Sequence, residues 1–250
     1  NIGILMLSGL GTKQDIPAAV QWFEKAAAKG QTNAQVQLLD MLFIGTGVKR
    51  DPERALDFLT KAAEAGDAIA QMKLGNLYRT GKDLDGKGAA NRDMAAYARW
   101  FGMAAAQGNA EAQFQMGLNC LNGLGMPQDF AKAAQWFKVA AEQGLVSAQT
   151  QYAAALARGL GVAKDEEAAV PWATKAAEKG HAEAEHLLGT FYKSGKGVKK
   201  DLKAAAEWFK KAAGHNHAEA KYELAQLTLA GEGVEKDAAK ALELCRAAAE

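Results

Sequence analysis

Apolar residues return along the chain with a helical period. In the stretch from Phe130 to Ala141 they fall at Phe130, Ala133, Phe137, Ala140 and Ala141, spaced i, i+3, i+7, i+10 and i+11. This is one face of an α-helix. The stretch before it, Ala110 to Asn122, predicts a second helix, and between the two runs a loop with paired glycines, NGLGMPQD. The loop recurs as SGLGTKQD, IGTGVKRD, RGLGVAKD, SGKGVKKD and AGEGVEKD, and once in a longer form, TGKDLDGKGAANRD. Its closing aspartates are Asp15, Asp51, Asp93, Asp129, Asp165, Asp201 and Asp237, separated by 36, 42, 36, 36, 36 and 36 residues. A glycine-rich turn before a helix is one way to cradle a phosphate, but such a site is needed once rather than seven times. The fixed period predicts a repeat protein whose units cannot bury their faces alone and must stack.

Each repeat predicts two antiparallel helices, A and B, about 20 Å long. Six positions before the first loop glycine stands a small residue, Gly3, Gly75, Gly117, Ala153, Gly189 or Ala225, with Leu39 the exception. A small side chain there admits a close helix neighbour. The first glycine suits the left-handed end of helix A, so that Gly123 ends one helix and Gly125 starts the next. The aspartate suits the N-cap of helix B. An aromatic position in helix B reads Trp22, Phe58, Trp100, Trp136, Trp172, Trp208 and Leu244, and a stripe facing the next helix must be apolar, so these residues are expected in the core. Eight residues on come Gly30, Gly66, Gly108, Gly144 and Gly180, then Asn216, the next best left-handed cap. The repeats divide as 1–30, 31–66, 67–108, 109–144, 145–180, 181–216 and 217–250 within a single domain, with the first A helix cut short.

The residues resemble the Sel-1-like repeat, a relative of the tetratricopeptide repeat. The likeness rests on A-x-x-x-x-G-x-L-Y-x-x-G from Ala70 to Gly81, G-x-G-V-x-x-D from Gly195 to Asp201, and A-x-x-W-F-x-K-A-A from Ala205 to Ala213, and it covers the chain in seven copies. It implies an all-α fold, an α/α right-handed superhelical solenoid of seven helix-turn-helix repeats of 36 residues. It implies adaptors, scaffolds or regulators that bind proteins on a concave face lined by A helices, with periplasmic or secreted members favoured. A cysteine-rich branch has β-lactamase activity and pairs cysteines within each repeat. The two cysteines here, Cys120 and Cys245, do not follow that pattern. A hydrolase of cell-wall or β-lactam substrates and an immunity-type protein that inhibits a toxin are the alternatives this resemblance leaves open.

Composition narrows the reading. Thirty basic and 29 acidic residues give a formal charge of +1 with no run of one sign, so there is no electrostatic footprint for nucleic acid. No apolar run approaches the ~20 residues that span a bilayer. The chain opens without a charged leader and ends inside an apolar period, and so reads as a fragment. A monomer without cofactor is expected.

Candidate chemistry is thin. Gly81 to Lys87 fits G-x-x-x-x-G-K, but Gly88 replaces the serine or threonine that would hold magnesium, and a helix rather than a strand precedes it. Asp83 and Asp85 begin a calcium-loop pattern whose twelfth position is Met94 instead of glutamate. The four histidines, His181, His186, His215 and His217, lie in the last two repeats, with His181 and His217 in equivalent places. Stacked helices set equivalent residues about 10 Å apart, too far for one ion, so exposed helix-start histidines are expected. Repeat three has six extra residues in its loop, within 81–92, and Tyr97 where other repeats have alanine; the longer loop is a means of making room. Pro171, inside the fifth helix B, is expected to kink that helix or shift its start.

The variable positions carry the functional expectation. In helix A they fall 12, 8, 5 and 1 residues before the first loop glycine, one helical stripe. Any polar residue there serves the fold, so identity is free for recognition. The partner-binding residues expected on this stripe are Gln37, Asp40, Lys73, Asn76, Glu111, Gln115, Asn122, Gln151 and Arg158. Asn33 and Ile69 belong to the same stripe. Its mixture of amides, both charges and some aliphatic residues suits a protein or peptide partner better than a phosphate backbone.

Overall fold

A computed structural model describes residues 2–81 and 92–249. The loop residues 82–91, on which the G-x-x-x-x-G-K and calcium-loop readings and most of the repeat-three insertion fall, lie outside the described residues. The described residues form fourteen α-helices and no strand, in an all-α solenoid of helix-turn-helix repeats. They fall into two compact units, residues 1–128 and 129–250. The first holds α1 (Ile2–Ser8), α2 (Ile16–Ala27), α3 (Thr32–Ile44), α4 (Pro52–Glu64), α5 (Ala68–Thr80), α6 (Met94–Ala106) and α7 (Ala110–Asn122). The second holds α8 (Phe130–Glu142), α9 (Val146–Arg158), α10 (Glu166–Ala177), α11 (Ala182–Ser194), α12 (Leu202–Gly214), α13 (Ala218–Ala230) and α14 (Ala238–Ala249). Within each unit every helix packs on the next in sequence.

The loop chemistry explains where these helices stop and start. Gly123 takes φ 68° and its N–H returns to the Asn119 carbonyl, closing α7. The seven aspartates then cap helix B: each Oδ1 accepts a backbone N–H three residues on, at 2.8–3.0 Å. The amide of Lys132, donating to Asp129, draws that carboxyl below the usual carboxylate range. Among the described residues Asn216 is the one other than glycine at positive φ, 64°, as its place in the period predicts.

The small residue in helix A also does what its position predicts. A Cβ on Gly75 would lie 2.8 Å from Phe101 Cδ2, and one on Gly189 would lie 2.7 Å from Phe209 Cδ1. The second loop glycine has a different part from the one expected. A Cβ on Gly125 would lie 1.8 Å from the Met94 carbonyl oxygen, and one on Gly161 would lie 1.9 Å from that of Phe130. It does not start the next helix; it lets the loop pass against the N-terminus of the preceding repeat's helix B.

Two expectations about helix B change. The tryptophan-position aromatics are not the deep core: Trp22 is 41% exposed, and Phe58, Trp100, Trp136, Trp172 and Trp208 are half-buried. The next residue is the buried one, as in Phe23, Leu59, Phe101, Phe137 and Phe209. Three of the tryptophans instead carry a lysine over the ring, Lys25 on Trp22 at 5.2 Å, Lys175 on Trp172 at 4.6 Å and Lys211 on Trp208 at 3.8 Å. Pro171 does not shift the start of α10, because Asp165 caps the Ala168 amide as in every other repeat. The proline faces solvent in an unbroken helical segment.

Tyr97 is fully buried, edge-on to Phe101 at 4.9 Å. Its hydroxyl donates to Asn119 Oδ1 at 3.0 Å, and burial raises its pKa. Asn119 stands where the neighbouring A helices have Met41 and Leu77, so the fourth repeat supplies the polar partner that the third repeat's tyrosine requires. The part assigned to the longer loop falls on residues outside those described.

Candidate protein-interaction surface

The stripe residues of the first unit come from successive A helices, α3, α5 and α7. Asp40 and Lys73 meet across adjacent repeats, Nζ to Oδ1 at 2.9 Å, with both side chains substantially exposed. Such a pair contributes at most ~1 kcal/mol, so it leaves Lys73 available to a partner's carboxylate. One turn on, Asn76 Oδ1 accepts from Arg79 Nε at 3.1 Å. Asn33, Gln37 and Ile69 line a cavity of about 540 Å³ together with Ile4 and Trp22. Ile69 is 58% exposed and Ile4 51%. Exposed aliphatic residues around a concavity, with amides at its edge, are the composition of a protein-binding patch.

The remaining expected residues divide. Glu111 is exposed on the first turn of α7. Asn122 donates to its own helix, Nδ2 to the Leu118 carbonyl at 3.0 Å. Gln115 is half-buried and donates to Asn119 Oδ1 at 3.3 Å, joining the buried tyrosine network. That contact gives it a part in the fold in addition to any in recognition. In the second unit Gln151 is half-buried on α9, and Arg158 is exposed at the end of the same helix. The described geometry gathers Gln37, Asp40, Lys73 and Asn76 on adjacent helices.

Some variable positions also tie repeats together, which stripe position alone did not indicate. Lys193 of α11 pairs with Glu223 of α13, and Glu183 Oε2 meets His217 Nε2 at 3.0 Å. The complementary charges one repeat apart were the available signal. A second feature escaped the sequence reading altogether. Gln35, Gln71, Gln113 and Gln149, each ten residues before a loop glycine, are buried and donate to a carbonyl of the preceding helix B: Ala27 at 3.5 Å, Ala63 at 3.0 Å, Ala105 at 3.2 Å and Ala141 at 3.3 Å. In the sixth repeat the equivalent residue is Glu185, 3% exposed, whose Oε2 has no partner among the described residues.

His181, His186 and His217 are not the exposed residues expected, whereas His215 is exposed at the C-cap of α12. His217 has a side chain only 11% exposed, and its ring stacks on that of His186 with centroids 4.7 Å apart. Burial first, then the charge of His217, holds His186 below the ordinary imidazole range; burial does the same for His181. Among the described residues no group of three or more His, Cys, Asp or Glu side chains is placed to hold a metal ion, and no helix is long and apolar enough to cross a membrane. Cys120 is buried in α7, its Sγ 3.3 Å from Met126 Sδ, and Cys245 is exposed in α14.

The family model described as the Sel1 repeat matches residues 1–31, 34–67, 68–109, 110–145, 146–181, 182–217 and 218–250. Among solved structures the chain is similar to a protective antigen of uropathogenic Escherichia coli with an SLR fold. The two are 31% identical, with a TM-score of 0.83 over 99% of this chain and 52% of that one. It is also similar to a Sel1 repeat protein from Oxalobacter formigenes, 33% identical, TM-score 0.72, covering 99% of this chain and 70% of that one. The chain thus spans about half the length of the first. The immunity protein PA5088 from Pseudomonas aeruginosa, 18% identical over 86% of this chain and 82% of that one with a TM-score of 0.50, shares the fold alone. No curated protein matches the sequence.

Proposed function

Since the chain belongs to the Sel1 repeat family, whose members generally act as non-catalytic scaffolds for protein–protein interaction, we propose that it binds a partner protein or peptide on the A-helix face, with the first unit's Gln37, Asp40, Ile69, Lys73 and Asn76 as the centre of contact. The observation that carries this reading is the exposure of Ile69 and Ile4 at the edge of a concavity bordered by Asn33 and Gln37. Ile69 is 58% exposed on α5, and an aliphatic side chain from a partner would remove it from water at ~25 cal/mol per Å². The amides and the Asp40–Lys73 pair would supply orientation at the rim. Glu111, Gln115 and Asn122 of α7 extend this face within the first unit, and Gln151 and Arg158 hold the equivalent repeat positions on α9 of the second.

The test is site-specific photocrosslinking in the source cells. A photoreactive residue is placed at position 37, 69 or 73, and as controls at Glu53 and Lys61, which are exposed on helix α4. Adducts of one discrete protein from the A-helix positions, absent from both controls, are expected. Ile69→Glu and Lys73→Glu should each weaken capture of that protein at least tenfold, about 1.4 kcal/mol, with far-UV circular dichroism unchanged. Equal adducts at the control positions, or capture unaffected by both substitutions, would overturn the assignment.

A further inference from the structure

All four histidines of the chain lie between residues 181 and 217, inside the unit 129–250; the unit 1–128 has none. His181, His186 and His217 lie along the A helices α9, α11 and α13, while His215, at the C-cap of α12, has Nε2 3.7 Å from Glu185 Oε1 of α11. His181, at the start of α11, places Nδ1 3.1 Å from Thr150 Oγ1 on α9. His186, one turn into α11, lies between two rings: Phe209 of α12 with centroids 5.7 Å apart, and His217 at the start of α13, 4.7 Å away and 23° from parallel. His217 has a partner at each nitrogen. Its Nε2 is 3.0 Å from Glu183 Oε2, and its Nδ1 lies 3.3 Å from both the Ala220 amide nitrogen and Glu219 Oε2. The two Nδ1 contacts are alternatives. A neutral ring with its proton on Nε2 donates to Glu183 and accepts the Ala220 N–H, capping α13. A protonated ring has no lone pair for that amide and donates to Glu219 instead.

We propose that His181 and His186 are an acid-operated joint: proton uptake on these two rings, each packed between A helices, parts α13 from α11 and α11 from α9. The groups facing the joint are Glu183 and Glu185 on α11, Glu219 and Glu223 on α13, Lys193 on α11, which is paired with Glu223, and His215 at the end of α12, beside Glu185. Phe209 on α12 and Thr150 on α9 face it without charge. The carboxylates favour charged imidazole at His181 and His186, but less strongly than burial opposes it. His186 and His181 are pulled the other way by burial, and His186 next by the charge of His217 stacked on it. The sign follows. The joined state holds these two imidazoles below their ordinary value, so the parted state takes up protons more readily. Stability is therefore complete above about pH 6.5 and is lost as pH falls from there toward the lowered values.

Hydrogen exchange followed by mass spectrometry between pH 7.5 and 5.5, corrected for the intrinsic rate of each amide, tests this on the full chain. The histidine-free unit is an internal control. Over this range carboxylates of ordinary pKa remain ionised. Opening of α11 and α13 is expected to increase up to ~10-fold per pH unit for each proton taken up, while α3 and α5 change little. The H181Q/H186Q double variant should lose most of the extra opening. The same pH dependence in α11 and α3, or an undiminished response in the double variant, would overturn the joint. Should the variant fail to fold, as judged by circular dichroism at pH 7.5, histidine proton NMR of the unaltered chain decides. His181 and His186 titrating at ordinary values would refute the proposal; titration at lowered values, with the α13 amide signals shifting in step, would support it.

Discussion

Glu185→Gln should stabilise the protein. In four other repeats a glutamine at this place donates an amide hydrogen to the carbonyl eight residues earlier, as Gln149 does to Ala141 at 3.3 Å. The repeat-equivalent carbonyl for Glu185 is that of Ala177. An ionised carboxylate has no proton for it and brings two acceptors into a site only 3% exposed. One of them, Oε2, is unpartnered among the described residues. The other is 3.7 Å from Nε2 of His215, a ring 53% exposed, so that contact contributes ~1 kcal/mol at most. Restoring a hydrogen bond gains ~1 kcal/mol, and exchanging an unpartnered charged oxygen for a neutral amide oxygen, itself unpartnered in Gln35 and Gln149, gains ~1–3 kcal/mol because burial penalises a charge more. With the histidine contact subtracted, the net is about 2 kcal/mol. At roughly 2–4 °C per kcal/mol for a chain of this size, the thermal midpoint should rise by about 4–8 °C. Glu185→Met separates the two contributions, since it removes the charge without supplying the donor, and its gain should fall below that of Gln. A Glu185→Gln protein no more stable than the parent at pH 7.5 would refute the reasoning, because the carboxylate would then have to be as well satisfied as the amides it replaces.

Other substitutions test the loop and the core. Gly144→Ala places a side chain at φ 88° with nothing within 4 Å and should cost about 1–2 kcal/mol in urea unfolding. Gly161→Ala adds to a similar backbone strain a Cβ 1.9 Å from the Phe130 carbonyl oxygen, so it should cost more than ~3 kcal/mol or prevent folding; equal costs would remove the close-approach argument. Tyr97→Phe should lose about 1–2 kcal/mol by depriving Asn119 of its hydroxyl donor. Adding Asn119→Leu, which makes the site apolar, should recover at least half of that in a double-mutant cycle. Additive losses would show that the two residues are not coupled.

Much of this architecture was legible because the period repeats. The aspartate caps, the left-handed first glycine and the small residue facing Phe101 or Phe209 each have a local physical cause that one sequence can show. The depth of the aromatics was not legible. Trp136 and Phe137 are neighbours about 100° apart on the helix, and both fall within the apolar sector, so periodicity alone does not rank them. Lysines three residues on, such as Lys211 after Trp208, mark the shallower position in hindsight. The buried glutamines were missed because a polar residue in a helix reads as solvated, although their recurrence at one place in the repeat was visible. The second loop glycine, Gly161 for example, meets a backbone about thirty residues earlier in the chain, a contact that no local rule anticipates. The candidate surface was legible only as a set of places. Its chemistry depends on which neighbours touch, as with Gln115, whose amide is drawn into the hydroxyl network beneath it.

The glutamine bond has a further consequence for how such a chain can lengthen or shorten. Donor and acceptor belong to different repeats but keep a constant separation of eight residues. Loss of residues 32–67 would join Gln31 to Ala68 and bring Gln71 to the Ala27 carbonyl, recreating the bond that Gln35 makes now. Loss of one residue more or fewer would turn Gln71 by about 100° around its helix relative to the Ala27 carbonyl and leave that carbonyl unserved. Duplication and deletion between copies of the gene segment are thus filtered by this bond to whole periods, and homologues of different length should differ by multiples of 36 residues within the helical parts, with other lengths confined to the loops that join helix A to helix B.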